Sequence, residues 1–125
     1  MRARPLSNSF AVTLLLLGGA PLALGADSLA PRYAPGRAVY EKWCAPCHDP
    51  GIIHPGTHAL MTKYPNSGRA SGVITAWTDL PATYVRFMVR HGMSVMPPFR
   101  KTEISDTELA GLAAYLARNT PGNGS

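Results

Sequence analysis

The hexapeptide WCAPCH, residues 43–48, puts two thiols three positions apart and an imidazole directly after the second. Two kinds of chemistry use that arrangement. Cys44 and Cys47 could cycle between dithiol and disulfide, with a depressed thiol pKa making one sulfur the nucleophile. Alternatively, the two thiols add to the vinyl groups on one edge of a porphyrin while His48 reaches its iron. Positions i, i+3 and i+4 of a helix share a face, and Cys44, Cys47 and His48 have that spacing. A structural disulfide across so short a loop would constrain little of the unfolded chain, and two Cys with one adjacent His do not complete a tetrahedral zinc site.

An iron held by His48 needs a second ligand from distant chain. A thioether is neutral and soft and suits ferrous iron. Met96, in a loop held extended by Pro97 and Pro98, is the expected donor. Met93 and Met61 compete with it, and Met88 reads as core filler. His54, His58 and His91 would give a bis-histidine alternative and read as surface or hydrogen-bonding groups. Trp77, Arg69 and Tyr64 could donate to haem carboxylates, or be packed aromatics and a solvated charge. Arg86, Arg90, Arg100 and Lys101 either ring an exposed cofactor edge and steer an acidic partner or form a solvated face.

Helices must carry these groups. The first is expected from Gly36, with Val39, Tyr40, Trp43, Cys44 and Cys47 at helical spacing. Residues 49–72 are rich in Pro, Gly, Ser and Asn and read as loop, with a short helix at Gly56 to Tyr64. Residues 73–79 form a short helical or extended piece. Asp79 or Leu80 is expected to cap a helix with Pro81 in its first turn, running to His91 and ended by Gly92. Ser105-Asp106-Thr107-Glu108 is a capping box opening the strongest helix, with Leu109, Leu112, Ala113 and Leu116 on one face. Thr120-Pro121-Gly122 stops it. There is no internal repeat and no convincing strand.

The chain has 125 residues, enough for one small domain. Arg2 and Arg4, the apolar run from Phe10 to Leu17 and the small residues at Ala23-Leu24-Gly25 read as a signal peptide over residues 1–25. The run falls short of the ~20 apolar residues a spanning helix needs, and Pro21 interrupts its looser continuation. Residues 26–35 then form an N-terminal linker, 36–120 the domain and 121–125 a C-terminal tail. Without Arg2 and Arg4, ten basic side chains face seven acidic ones, a net +3. No Lys/Arg run with interleaved aromatics points to nucleic acid. A remaining domain of about 100 residues has a marginal core, often supported by a cofactor, metal or disulfide.

The dithiol chemistry belongs to thioredoxin-like thiol–disulfide oxidoreductases, which need a buried Val/Ile/Phe-rich strand before the redox loop. The stretch there, Gly36 to Trp43, is polar and helical in pattern. Val95-Met96-Pro97 could mimic the proline that faces their cysteines, but residues 49–96 offer no strand pair.

Over nearly all of residues 36–120 the chain resembles class I mono-haem c-type cytochromes. Gly36, Tyr40 and Cys44-Ala45-Pro46-Cys47-His48 resemble the family's N-terminal helix, Met96-Pro97-Pro98-Phe99 its methionine-ligand loop, and Leu109 to Leu116 its C-terminal helix. The resemblance implies an all-α fold, a small cytochrome c fold of three to five helices around one covalently attached haem c. It implies thioethers from Cys44 and Cys47, and iron between His48 and Met96. It implies that Gly36 and Tyr40 cross Leu112 and Tyr115, and that a proline carbonyl, here Pro55, accepts from the second nitrogen of His48. Trp77 and Arg69 would be further haem contacts. The function implied is a periplasmic one-electron carrier, itself no enzyme. The stretch from His54 through Leu116 resembles cytochrome subunits of flavin-dependent phenol oxidoreductases of the 4-cresol and eugenol type. It also resembles small cytochromes that serve quinoprotein alcohol dehydrogenases. The implied donor is therefore a periplasmic dehydrogenase, flavoprotein in the first case. The acceptor would be a downstream cytochrome, copper protein or oxidase, with the membrane met only through such transient partners.

Overall fold

The computed structural model describes residues 30–122; the expected signal peptide, residues 26–29 of the expected linker and residues 123–125 of the expected tail lie outside them. A 3-10 turn, Pro31–Tyr33, runs directly into α1, Ala34–Trp43. Pro31 and Pro35 each sit in the first positions of a helical turn, where a missing N–H leaves no bond unmade. The first helix therefore begins before Gly36, in residues expected to be linker.

α1 does not continue through the cysteines. It ends at Cys44, and a single turn, α2, covers Ala45–His48. Pro46 is the reason: it has no N–H for the α1 ladder and its ring crowds the preceding turn. The N–H groups of Cys47 and His48 both bond instead to the Cys44 carbonyl, at 3.0 and 2.9 Å. The turn still leaves Cys44, Cys47 and His48 within one helical revolution.

α3 covers Pro55–Lys63, and a 3-10 turn covers Ile74–Ala76. α4 covers Ala82–His91. Its N-cap is Pro81, one residue beyond the expected cap, because Leu80 is committed elsewhere: its N–H and carbonyl both bond the Thr120 hydroxyl, at 2.9 and 3.1 Å. Gly92 ends α4 at φ +70°. A side chain there would also strike the Met96 carbonyl at 2.5 Å, so only glycine lets the following loop fold back. α5 covers Asp106–Leu116 and has the expected capping box, Ser105 Oγ accepting from the Glu108 N–H and Glu108 from the Ser105 N–H at 2.8 Å. A last 3-10 turn, Ala117–Asn119, follows it. No strand occurs among the described residues, only an isolated Met93–Met96 bridge.

The core forms where α1 crosses α5. α1 buries Gly36, Val39 and Tyr40, spaced three and four residues apart as one helical face requires. α5 buries Leu109, Leu112, Ala113, Tyr115 and Leu116. At the crossing, a Cβ on Gly36 would run into the Gly111 carbonyl and lie 2.8 Å from Tyr115 Cβ. The Tyr40 and Tyr115 rings meet at 5.7 Å beside it. α4 packs Val85 and Val89 against α5 from the other side.

The two glycines of the crossing are not equivalent. Gly36→Ala is expected to cost about 1–3 kcal/mol through overpacking against backbone that cannot move aside. Gly111→Ala meets nothing closer than 3.5 Å, and should be neutral or gain up to about 1 kcal/mol in helix propensity. Denaturant unfolding of both variants checks this, and a Gly36→Ala protein as stable as the parent would sink it.

Candidate haem site

The chemistry-bearing residues converge on one apolar cleft of about 700 Å3, counting its open mouth. Cys44, His48, Met93 and Met96 all line it, with Val85, Val89, Leu112 and Leu116 among its apolar walls. α1 and α2 bring the cysteine–histidine motif, the loop after α4 brings Met93 and Met96, and α4 and α5 supply the apolar walls; Met88, expected to fill the core, also lines the cleft from α4.

Burial separates the two thiols. Cys44 is buried in the cleft wall, while Cys47, one turn on, is exposed. Burial and the neighbouring Cys47 push the Cys44 thiol up to about 12. A redox-active dithiol needs the opposite, a thiolate stabilised near neutral pH. With no strand among the described residues either, the thioredoxin-like reading is not favoured.

Burial also lowers the pKa of His48, which favours the neutral imidazole that can ligate a metal. Its Nδ1 is buried without a hydrogen-bond partner. The Pro55 carbonyl, expected to accept from it, does not. Pro55 opens α3, and a first-turn carbonyl points along its own helix ladder. The ring lies instead against Gly56, where a Cβ would come within 2.7 Å of Cε1 and 2.9 Å of Nδ1. Gly56 is thus a residue of the site that spacing alone did not single out. Its one signal is a glycine placed directly after a helix-opening proline.

Met93 and Met96 exchange both backbone hydrogen bonds, at 3.0 and 2.9 Å, closing a tight turn with Ser94 at φ +53°. Met96 is partly buried against the core, whereas Met93 is 45% exposed. Met61 does not line the cleft, nor do His54, His58 or His91. His54 Nδ1 bonds the Pro46 carbonyl, and His91 stacks on Phe87. The methionine loop is anchored from behind. The Phe99 N–H bonds the Val89 carbonyl at 2.7 Å, and the Phe99 ring meets Trp43 edge-on. Arg90 donates to the Phe99 carbonyl at 3.0 Å and to Asp106 at 2.9 Å.

Trp77 is buried, lines the cleft and leaves its indole Nε1 without a partner. Arg69 lines the cleft too, but its charge is already engaged. Its Nε donates to both Asp79 oxygens at 2.9 Å, and it stacks over the Trp77 ring at 4.6 Å. The basic residues expected to ring a cofactor edge are largely paired: Arg90 and Lys101 with Asp106, and Arg100 with Glu103.

These features fit a haem. Its macrocycle needs an apolar slot, its iron needs donors such as His48 and Met96, and its carboxylates need donors such as Trp77 Nε1. His48 and Trp77 both line the cleft, and Trp77 Nε1 is buried without a partner among the described residues. Trp43 Nε1 is also buried and unpartnered, and the cleft does not account for it.

An all-helical domain with a C-x-x-C-H turn and a methionine loop lining one apolar cleft is a small cytochrome c fold. Residues 31–116 match the family described as cytochrome c oxidase, cbb3-type, subunit III, and the chain belongs to that family. It is 25% identical over 118 residues to the cytochrome c subunit of 4-cresol dehydrogenase [hydroxylating] from Pseudomonas putida, covering 90% of this chain and 89% of that one. It is 30% identical over 105 residues to cytochrome c6 of Synechocystis, covering 82% and 78%. No solved structure matches the chain significantly. Membership implies haem c as cofactor and an electron-transfer role of the cytochrome c class. No helix among the described residues is long and apolar enough to cross a membrane.

The loop anchor has a pH signature. Lys101 and Arg90 hold the Asp106 carboxyl below its ordinary range. Arg100 does the same for Glu103, and the Ser105 cap for Glu108. A depressed folded pKa stabilises above the unfolded pKa, and that stability is lost as pH falls through the folded value. The protein should therefore lose stability on acidification below about pH 4. Asp106→Asn should be less stable than the parent at neutral pH, with the two stability curves converging as the pH falls through the lowered folded-state value. Curves a constant distance apart across that window would contradict it.

Proposed function

We propose that this chain is an exported one-electron carrier. Cys44 and Cys47 hold haem c through thioethers, His48 and Met96 ligate its iron, and a periplasmic dehydrogenase supplies the electrons. A haem bound there supplies one-electron ferric/ferrous chemistry. The observation that carries the reading is that the Cys44–His48 turn and Met96, from two distant segments of chain, line one apolar cleft.

The protein's own residues hold, orient and desolvate. His48 is kept neutral by burial and pressed against the Gly56 backbone. Arg90 and Phe99 fix the loop that bears Met96, so ligation need not change with oxidation state and little reorganisation slows transfer. A thioether opposite an imidazole raises the reduction potential, and so does the dry cleft formed by Val85, Val89, Leu112 and Leu116. Trp77 Nε1 serves as a carboxylate donor. Arg69 acts through Trp77, bracing its ring with the charge already neutralised by Asp79.

Similarity to a 4-cresol dehydrogenase cytochrome subunit across nearly the full length of both chains favours a flavoprotein dehydrogenase of that type as donor. A downstream cytochrome, copper protein or oxidase is the acceptor. Copurification with such a flavoprotein supports this pairing, and efficient reduction only by a quinoprotein would overturn it.

Expressed with its leader in a host that matures c-type cytochromes, the protein should keep its haem through denaturing extraction. Met96→Ala should also retain haem, lose the sulfur-to-iron charge-transfer band of the ferric spectrum and show a lower midpoint potential. Met93→Ala should keep the band. A colourless parent with two titratable thiols would overturn the reading, and a band that survives Met96→Ala would remove Met96 as ligand.

A further inference from the structure

The carboxylate that follows the histidine is unlike the others. Among the described residues, Glu41, Asp79, Glu103 and Asp106 each face an arginine or lysine within 3.5 Å, and Glu108 closes the Ser105 cap. Asp49 faces a phenol instead. Its Oδ1 accepts from the Tyr40 hydroxyl at 3.1 Å. The single hydrogen of that hydroxyl is shared with the His48 carbonyl, at 2.9 Å, so one side chain ties the histidine backbone and the neighbouring carboxylate together.

A second clamp comes from α3. Thr57 is fully buried, and its Oγ1 donates to the Asp49 carbonyl at 2.9 Å. Asp49 itself is only half-buried. A carboxylate in that position with no counter-ion would gain by swinging into water. Its position is instead set from both sides, by Tyr40 on α1 and Thr57 on α3. Tyr40 is in turn fixed by the α1–α5 crossing and the Tyr115 ring. The electron-carrier reading does not require any of this: packing alone would be served by Phe at position 40 and Val at position 57.

We propose that Asp49, held beside the His48 backbone by Tyr40 and Thr57, is a fixed negative charge that lowers the reduction potential of the bound haem, with Tyr40 as its positioning residue. The proposal rests on the haem reading above. Reduction adds one electron to the iron and makes or breaks no bond at Asp49. The ferric state carries one more positive charge than the ferrous, so a nearby carboxylate favours it by Coulomb attraction. Partial burial weakens the salt screening that would erase such an effect at the surface. The charge therefore acts against the thioether ligand and the dry cleft, which both raise the potential.

The test is redox titration of the haem-loaded protein and two variants, alone and combined. Asp49→Asn keeps an oxygen that can accept from Tyr40 but removes the charge. At a fixed ambient potential it should raise the ferrous-to-ferric ratio at least about threefold, tenfold being 59 mV for a one-electron couple. Tyr40→Phe should shift the ratio the same way by less, and should add nothing in the Asp49→Asn background. If Asp49→Asn fails to mature with haem, the upward shift in Tyr40→Phe alone decides. A Tyr40 that merely packs would lower the melting temperature and leave the potential unmoved in both backgrounds. That result, or a smaller rise or a fall in Asp49→Asn, overturns the proposal while leaving the haem reading intact. A parent without covalent haem overturns both.

Discussion

The contact of Gly36 with the Gly111 carbonyl is the constraint on which the rest of the domain depends. It lets α1 lie backbone to backbone on α5, closer than any side chain at position 36 would permit. That approach buries Val39 and Tyr40 in the same core as Leu112, Ala113 and Tyr115. It also aims the end of α1. The break at Cys44 and the single turn to His48 start from a helix whose direction α5 has already set. The cleft walls at Leu112 and Leu116 belong to the same α5. The crossing therefore holds both the cysteine–histidine motif and part of the surface it faces.

From that crossing the site is assembled by backbone hydrogen bonds more than by side-chain packing. Gly92 lets the chain reverse after α4, and the Met93–Met96 exchange closes the loop. The Phe99 N–H and carbonyl then bond Val89 and Arg90. Such bonds are directional and leave the loop little freedom, which suits a residue whose sulfur must stay in place through repeated electron transfers. On the other side, Tyr40 and Thr57 fix the residues after the motif. The cleft is thus held from both ends, and small interhelical shifts would not open it independently of the core.

The charges serve the scaffold before they serve recognition. Arg69, Arg90, Arg100 and Lys101 each meet a nearby carboxylate. Exposed pairs of this kind contribute little stability each, but here they tie connecting segments to helices: Arg69 to the stretch before α4, Arg90 to the start of α5. Side chains that read in sequence as a basic ring are mostly a set of struts.

The sequence by itself determined the element types and the chemical identity of the site. C-x-x-C-H has few chemical readings, a capping box four residues long dictates the start of α5, and a period near 3.6 with no alternating run excludes a sheet. These are local properties, decided by neighbours within one or two turns. Only the tertiary structure decided the features that depend on distant chain. It chose Met96 over Met61 as a cleft residue, set Leu80 against Thr120 so that α4 starts one residue late, and spent Arg90 on the methionine loop. It also placed Gly56 against the His48 ring. It gave Tyr40 a hydroxyl partner across eight residues, where sequence could show only an aromatic on a buried face. Each of those outcomes is a contact between segments whose separation along the chain carries no periodic signal, so no pattern in the sequence could have encoded it legibly.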